Sequence, residues 1–245
     1  MDLKKALNLP LFAVFVLQLF SFHLLAKVPD PTRFEQAIIK FEQQDAIKMP
    51  PKGAIVLTGS SSIARWNHEA HAALAPLTVI PRGFGGSNMN DLLYYIDRVA
   101  IKYQPRAILI YEGDNDTALT PPVPKTDILR QLQHIISNVH QVLPDTRIYL
   151  LSVKPSVSRR AVWPLAMDVS RGYQLIADTH PLVHYIDVAT PLLKQNGEIM
   201  QDIFIHDDLH LNDKGNKIWG ETIKAALMPI EAKYEQRLVT NMHTK

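Results

Sequence analysis

The 245-residue chain reads as an α/β fold, a three-layer α/β/α sandwich built as one domain around a five-stranded, mostly parallel sheet. Three observations predict it. Five short apolar runs recur along the chain, each is followed by a segment of helical period, and no linker or repeat divides them. Strands of a parallel sheet are covered on both faces, so they read as continuous apolar runs rather than as alternation. A (β/α)8 barrel needs eight such units, and only five are present.

In chain order, residues 31–46 carry Phe34, Ile38 and Phe41 at helical spacing, then AIVLT at 54–58 forms the first strand. A polar turn and a helix-compatible segment through Trp66 follow. LTVI at 77–80 is the second strand, followed by Gly83, Gly85 and Gly86 and a helical pattern over 89–103. AILIY at 107–111 is the third, with a loop and the long amphipathic stretch 126–143 behind it. RIYLLSV at 147–153 precedes a loop and a helix over 166–178. LVHYIDV at 182–188 is the fifth, and 214–230 closes the chain as a helix.

Composition excludes several functions. With 26 Lys and Arg against 24 Asp and Glu, the net charge of +2 offers no basic footprint for nucleic acid. The chain has no Cys, which removes disulfide scaffolds, Cys-ligated zinc, iron–sulfur clusters and cysteine nucleophiles. There is no Gly-x-Ser-x-Gly elbow and no Gly-x-x-x-x-Gly-Lys phosphate loop.

Residues 1–26 are a different material. Lys4 and Lys5 precede an apolar run from Leu9 to Ala26, expected to be a signal peptide or an N-terminal membrane anchor. Either option places the domain over 27–245 outside the cytoplasm, periplasmic or secreted, with membrane attachment through this segment in the second case.

In an open parallel sheet, ligands bind beyond the carboxyl ends of the strands. Gly59-Ser60-Ser61-Ser62 follows the first strand, Gly83-Phe84-Gly85-Gly86 the second and Gly113-Asp114-Asn115-Asp116 the third; His206-Asp207-Asp208-Leu209-His210 comes after the fifth and an intervening segment. All lie on one rim. Ser61, on a strand-to-helix turn, can act as a nucleophile if His210 serves as its base and Asp207, three residues earlier, orients the imidazole. Gly86 can present a backbone N–H, and Asn115 a side-chain amide, to an oxyanion. Each block alone has a blander meaning: Ser-Ser-Ser as a helix N-cap, the glycines as a tight turn, Asn115 as a loop cap. His206 and His210, four apart beside two aspartates, also have metal-ligand spacing, but the other histidines form no second cluster.

These four blocks, in this order, resemble the signature blocks of the SGNH, or GDSL-type, hydrolases over roughly residues 32–230. The resemblance implies a flavodoxin-like fold and an acyl-ester hydrolase with Ser61 as nucleophile, Asp207 and His210 as its partners, and oxyanion donors from the Ser61 backbone, Gly86 and Asn115. It implies no metal and no organic cofactor. Two positions depart from the family pattern: Ser60 stands where Asp is usual, and Asp114 where Thr is usual. A carboxylate at 114 is expected to point away from the oxyanion donors, since it would repel the developing charge.

For substrate, Lys154 to Trp163 follows the fourth strand on the same rim. Arg159 and Trp163 there suit an anionic group or a sugar ring, against the alternative of a solvated loop with Trp163 packed into the core. No long apolar insertion suggests a lid. The expected substrate is a small-molecule or carbohydrate ester with a short acyl group, such as O-acetyl on an envelope carbohydrate. A lysophospholipase or thioesterase activity, or a binding module whose chemistry has lapsed, are the alternatives.

Overall fold

The five apolar runs pair into one sheet. The computed structural model of the chain describes residues 28–243, and side chains through Glu235. The expected leader at 1–26 lies outside the described residues. The strands are β1 (Ile55–Gly59), β2 (Val79–Gly83), β3 (Ala107–Tyr111), β4 (Arg147–Leu151) and β5 (Val183–Ile186). They lie in the order β2-β1-β3-β4-β5, and every pairing is parallel, with Ile55 opposite both Val79 and Ala107. Helices are α1 (Glu35–Ile47), α2 (Ser61–Trp66), α3 (Ala70–Ala73), α4 (Met89–Val99), α5 (Asp114–Ala118), α6 (Lys125–Val142), α7 (Trp163–Thr179) and α8 (Asp213–His243).

Successive strand residues point to opposite faces, so each apolar run feeds two cores. Val56, Ile108, Ile110, Ile148 and Leu150 pack with Ile38 of α1, Leu92 and Ile96 of α4, Leu132 of α6 and Val169 of α7. Ile55, Leu57, Leu109, Tyr111, Tyr149 and Leu151 pack with Ile63 and Trp66 of α2 and with Trp219, Ile223 and Leu227 of α8. The layering follows from crossover handedness. From β1 the chain first moves outward to β2, through α2 and α3 on one face. It then returns past β1 to β3, β4 and β5 through α4, α6 and α7 on the other, and the change of face keeps each crossover right-handed. The direction reverses between β1 and β3, and in open α/β sheets ligands bind at the carboxyl ends of the strands at such a point.

Most element ends shift by a few residues from the sequence reading, and two of the shifts carry the chain through a proline. The second strand runs 79–83 and not 77–80, continuing through Pro81 to Gly83. It is an edge strand, where a residue without an N–H costs little. The last helix does not end near 230 but passes Pro229 and reaches His243. Its continuation is anchored by two buried acids. Glu231 accepts from Arg106 Nε (2.9 Å), Arg147 Nε (2.6 Å) and the Tyr149 hydroxyl (2.7 Å), and Glu235 accepts from the Thr78 amide (2.9 Å) and Arg106. These bonds offset the one that proline removes.

Candidate active site

At the end of β1 the chain must turn into α2 while touching β3. The Ser60 amide donates to the Tyr111 carbonyl at 3.0 Å. Gly59 has φ +134°, and a Cβ there would lie 2.1 Å from the Tyr111 oxygen, so only glycine fits. Ser60 is the residue before α2, but its hydroxyl makes no capping bond. Ser61, the first residue of α2, has a main-chain N–H with no acceptor inside the helix. Its Oγ lies 2.9 Å from His210 Nε2, and His210 Nδ1 lies 2.6 Å from Asp207 Oδ2.

The loop carrying Asp207 and His210 is tied to itself and to its neighbours. Asp207 Oδ1 accepts the amides of Leu209 (3.0 Å) and His210 (2.9 Å), and Ile205 donates to the His210 carbonyl at 2.9 Å. Asp208, between them, adopts φ +56° and is exposed; a short polar side chain tolerates that conformation. The segment after β4 holds the loop from outside: the Ser158 amide donates to the Asp208 carbonyl at 3.1 Å, and Lys154 Nζ to the Leu209 carbonyl at 2.6 Å. Burial pushes the Asp207 carboxyl up, but its bonds from the His210 ring and from the amides of His210 and Leu209 outweigh this and hold it well below the usual range. A carboxylate facing Nδ1 places the imidazole proton there and leaves the Nε2 lone pair toward Ser61.

The glycine loop reaches the same place. Asn67 of the α2–α3 connection clasps Gly83, its Nδ2 donating to the Gly83 carbonyl (3.1 Å) and its Oδ1 accepting from the Gly83 amide (3.2 Å). Gly85 and Gly86 are exposed, and a Cβ on Gly85 would lie 3.8 Å from the Ser61 Cβ. Asn115 Nδ2 donates to the Ser87 carbonyl at 2.7 Å, which brings its amide beside that loop. An amide carries two N–H donors, so one remains for another acceptor. The structure therefore gathers Ser61, Gly86, Asn115, Asp207 and His210 on one rim. His206, next in the loop, is exposed, and among the described residues no group of three or more His, Asp or Glu is placed to hold a metal ion.

Asp114 turns its carboxylate toward Arg159, Tyr111 and Lys154. It is buried, and its carboxylate accepts from Arg159 Nη1 (2.5 Å) and from the Tyr111 hydroxyl (3.0 Å), with Lys154 Nζ 3.9 Å away. Arg159 Nη2 donates to Asn115 Oδ1 at 2.8 Å, so this guanidinium faces the site residues themselves. Trp163 is half-buried, packs against the core and lines a groove of about 340 Å³ with Arg160, Glu198 and Gln201. It also borders a smaller one near Tyr185 and Asp187.

Sequence reading passed over Ser87 and Glu112. The buried Ser87 hydroxyl donates to Glu112 Oε1 at 2.5 Å, fixing the carbonyl that Asn115 meets. Burial, and the neighbouring Asp116, push the Glu112 carboxyl far up. Burial likewise raises Asp116 to about 7, although it accepts the Met89 (3.1 Å) and Gly113 (3.1 Å) amides. The signal available was Glu112 itself, an acid at the end of an apolar strand.

Comparison with known proteins extends the picture. The model of the GDSL-like lipase/acylhydrolase family matches residues 52–218. No curated protein sequence matches the chain. Among solved structures, a Streptococcus pneumonia protein provisionally described as a platelet activating factor is similar, with 24% identity and a TM-score of 0.69, over 79% of this chain and 92% of that one. A GDSL-like lipase from Bacteroides thetaiotaomicron shows 16% identity and a TM-score of 0.67, over 78% and 97%. A catalytic mutant of an acetylxylan esterase from Geobacillus stearothermophilus shows 14% identity and a TM-score of 0.57, over 71% and 93%. At these identities the likeness is one of fold. With the family model spanning most of the domain, the chain belongs to the GDSL-like lipase/acylhydrolase family and is an ester-bond hydrolase.

Proposed function

We propose that the protein cleaves short acyl esters through an acyl-enzyme intermediate, acting outside the cytoplasm on O-acetyl groups of an envelope carbohydrate. The observation that carries the mechanism is the relay Ser61 Oγ–His210 Nε2–Asp207, at 2.9 and 2.6 Å. In this reading Ser61 attacks the ester carbonyl as His210 Nε2 takes its proton. The oxyanion is met by the N–H groups of Ser61 and Gly86 and by Asn115 Nδ2. His210 then returns the proton to the leaving alkoxide, and water repeats the cycle against the acyl-serine to release the acid. Asp207 keeps the imidazole in the required tautomer and offsets its charge when protonated.

The carbohydrate assignment is supported by the half-buried Trp163 and the small groove it shares with Arg160, Glu198 and Gln201, a stacking plane with polar neighbours. A related fold is that of an acetylxylan esterase. The basic start and apolar run of residues 1–26 support export, with the segment either cleaved or retained as an anchor ahead of a single hydrolase domain over 27–245. Among the described residues no helix is long and apolar enough to cross a membrane.

The test is a series of p-nitrophenyl esters from acetate to laurate, together with acetate release from O-acetylated oligosaccharides. The expected result is the highest kcat/KM on acetate or butyrate and measurable deacetylation of the sugar. A maximum on long chains, with no deacetylation, would replace the reading with a lysophospholipase or thioesterase.

A further inference from the structure

A carboxylate at position 114, beside a site that must stabilise negative charge, needs an explanation. Its surroundings supply one. Arg159 forks across two adjacent residues, with Nη1 on Asp114 Oδ1 (2.5 Å) and Nη2 on Asn115 Oδ1 (2.8 Å). On the other side of Asp114, Lys154 Nζ stands 3.9 Å from Oδ2 and donates to the Leu209 carbonyl, next to His210, at 2.6 Å. The Lys154 side chain is 1% exposed, and burial lowers its pKa while Asp114 opposes that shift.

We propose that Arg159 is a positioning residue for the hydrolytic reaction: paired with Asp114, it sets the orientation of the Asn115 amide. The inference rests on the oxyanion role assigned to Asn115 above. A guanidinium can only donate and a carbonyl can only accept. Arg159 therefore demands Asn115 Oδ1 on one side, while the Ser87 carbonyl demands Nδ2 on the other at 2.7 Å. The amide plane is held at both ends, and the remaining Nδ2 hydrogen has one direction left. Drawing electron density toward Oδ1 also makes that N–H a stronger donor. Asp114 holds the fork in register and, through Lys154, ties it to the loop that carries His210. The acid at 114 and the arginine at 159 thus belong to one device, in which the cations cancel the charge that would oppose an oxyanion.

The experiment measures kcat, KM and the rate of phosphonylation by a fluorophosphonate for R159A, R159K, N115A and the double variant R159A/N115A, with melting curves for each. R159A is expected to lower kcat and the phosphonylation rate by about ten- to a hundredfold with KM little changed, as a slightly misplaced group does. R159K keeps the charge without the fork, preserves the fold and should fall between R159A and wild type. In the N115A background, R159A should cause no further loss. A rise in KM at unchanged kcat, or losses that multiply in the double variant, would overturn the proposal by showing that Arg159 acts on substrate or on the fold at large. N115A with wild-type kcat would refute the oxyanion assignment itself and the clamp with it.

Discussion

Asp207 uses both oxygens on the segment that leads to His210: Oδ2 meets the imidazole Nδ1 at 2.6 Å, and Oδ1 takes the His210 amide at 2.9 Å. One carboxylate thus sets both the ring and the backbone that presents it. The adjacent Asp208 is exposed. Asp207→Asn should therefore lower kcat/KM by about 10²–10⁴-fold through loss of tautomer control, while Asp208→Asn stays near wild type on the same ester. Steady-state kinetics of both folded variants decide it, and the reverse order would refute the assignment.

Asp116 predicts a pH effect on stability. Its carboxyl is raised from 3.8 to about 7 in the folded protein, so the folded state binds its proton more tightly than the unfolded chain does. Stability from this group is then complete below the unfolded value and falls as pH rises toward 7, by roughly 1.4 kcal/mol per pH unit. Asp116→Asn removes the titration. The stability of that variant relative to wild type should rise between pH 4 and 7 and level off above, as read by denaturant melts. A flat or falling difference would mean that Asp116 is ionised across the window.

Glu231 is fully buried among Arg106, Arg147 and Tyr149, at the amino ends of β3 and β4, on the rim opposite Ser61. Glu231→Ala leaves the buried Arg147 without its carboxylate, while Arg106 keeps Glu235, and should cost about 3–5 kcal/mol in unfolding free energy. The kcat of the folded fraction at low temperature should not change. A large kcat effect would show that the two rims are coupled.

Both ring nitrogens of His210 are engaged, by Asp207 and by Ser61, so neither is free to ligate. Turnover of an acetate ester should persist through exhaustive EDTA treatment. Loss on chelation, restored by zinc or manganese, would instead bring His206 and His210 forward as metal ligands.

What was legible in the sequence was whatever local chemistry dictates. Five apolar runs became five strands because a buried parallel strand has no polar face to show. The residues at their carboxyl ends converged because the topology reverses between β1 and β3. What stayed hidden depends on partners far away in the chain. Pro81 looks like a strand breaker until β2 is known to be an edge. Pro229 looks like a helix end until Glu231 and Glu235 find Arg106 and Arg147. Asp114 looks hostile to an oxyanion until Arg159, 45 positions later, is seen to pair with it.

The central claim, that Ser61 is the nucleophile, is tested most directly by labelling the wild-type protein with a fluorophosphonate and locating the adduct by peptide mass spectrometry. The account predicts a single adduct on Ser61, absent from Ser61→Ala. That variant should lose kcat by on the order of 10⁴–10⁶-fold while its unfolding free energy moves by no more than about 1 kcal/mol. An adduct on Ser60 or Ser62, or esterase turnover that survives Ser61→Ala, would contradict it.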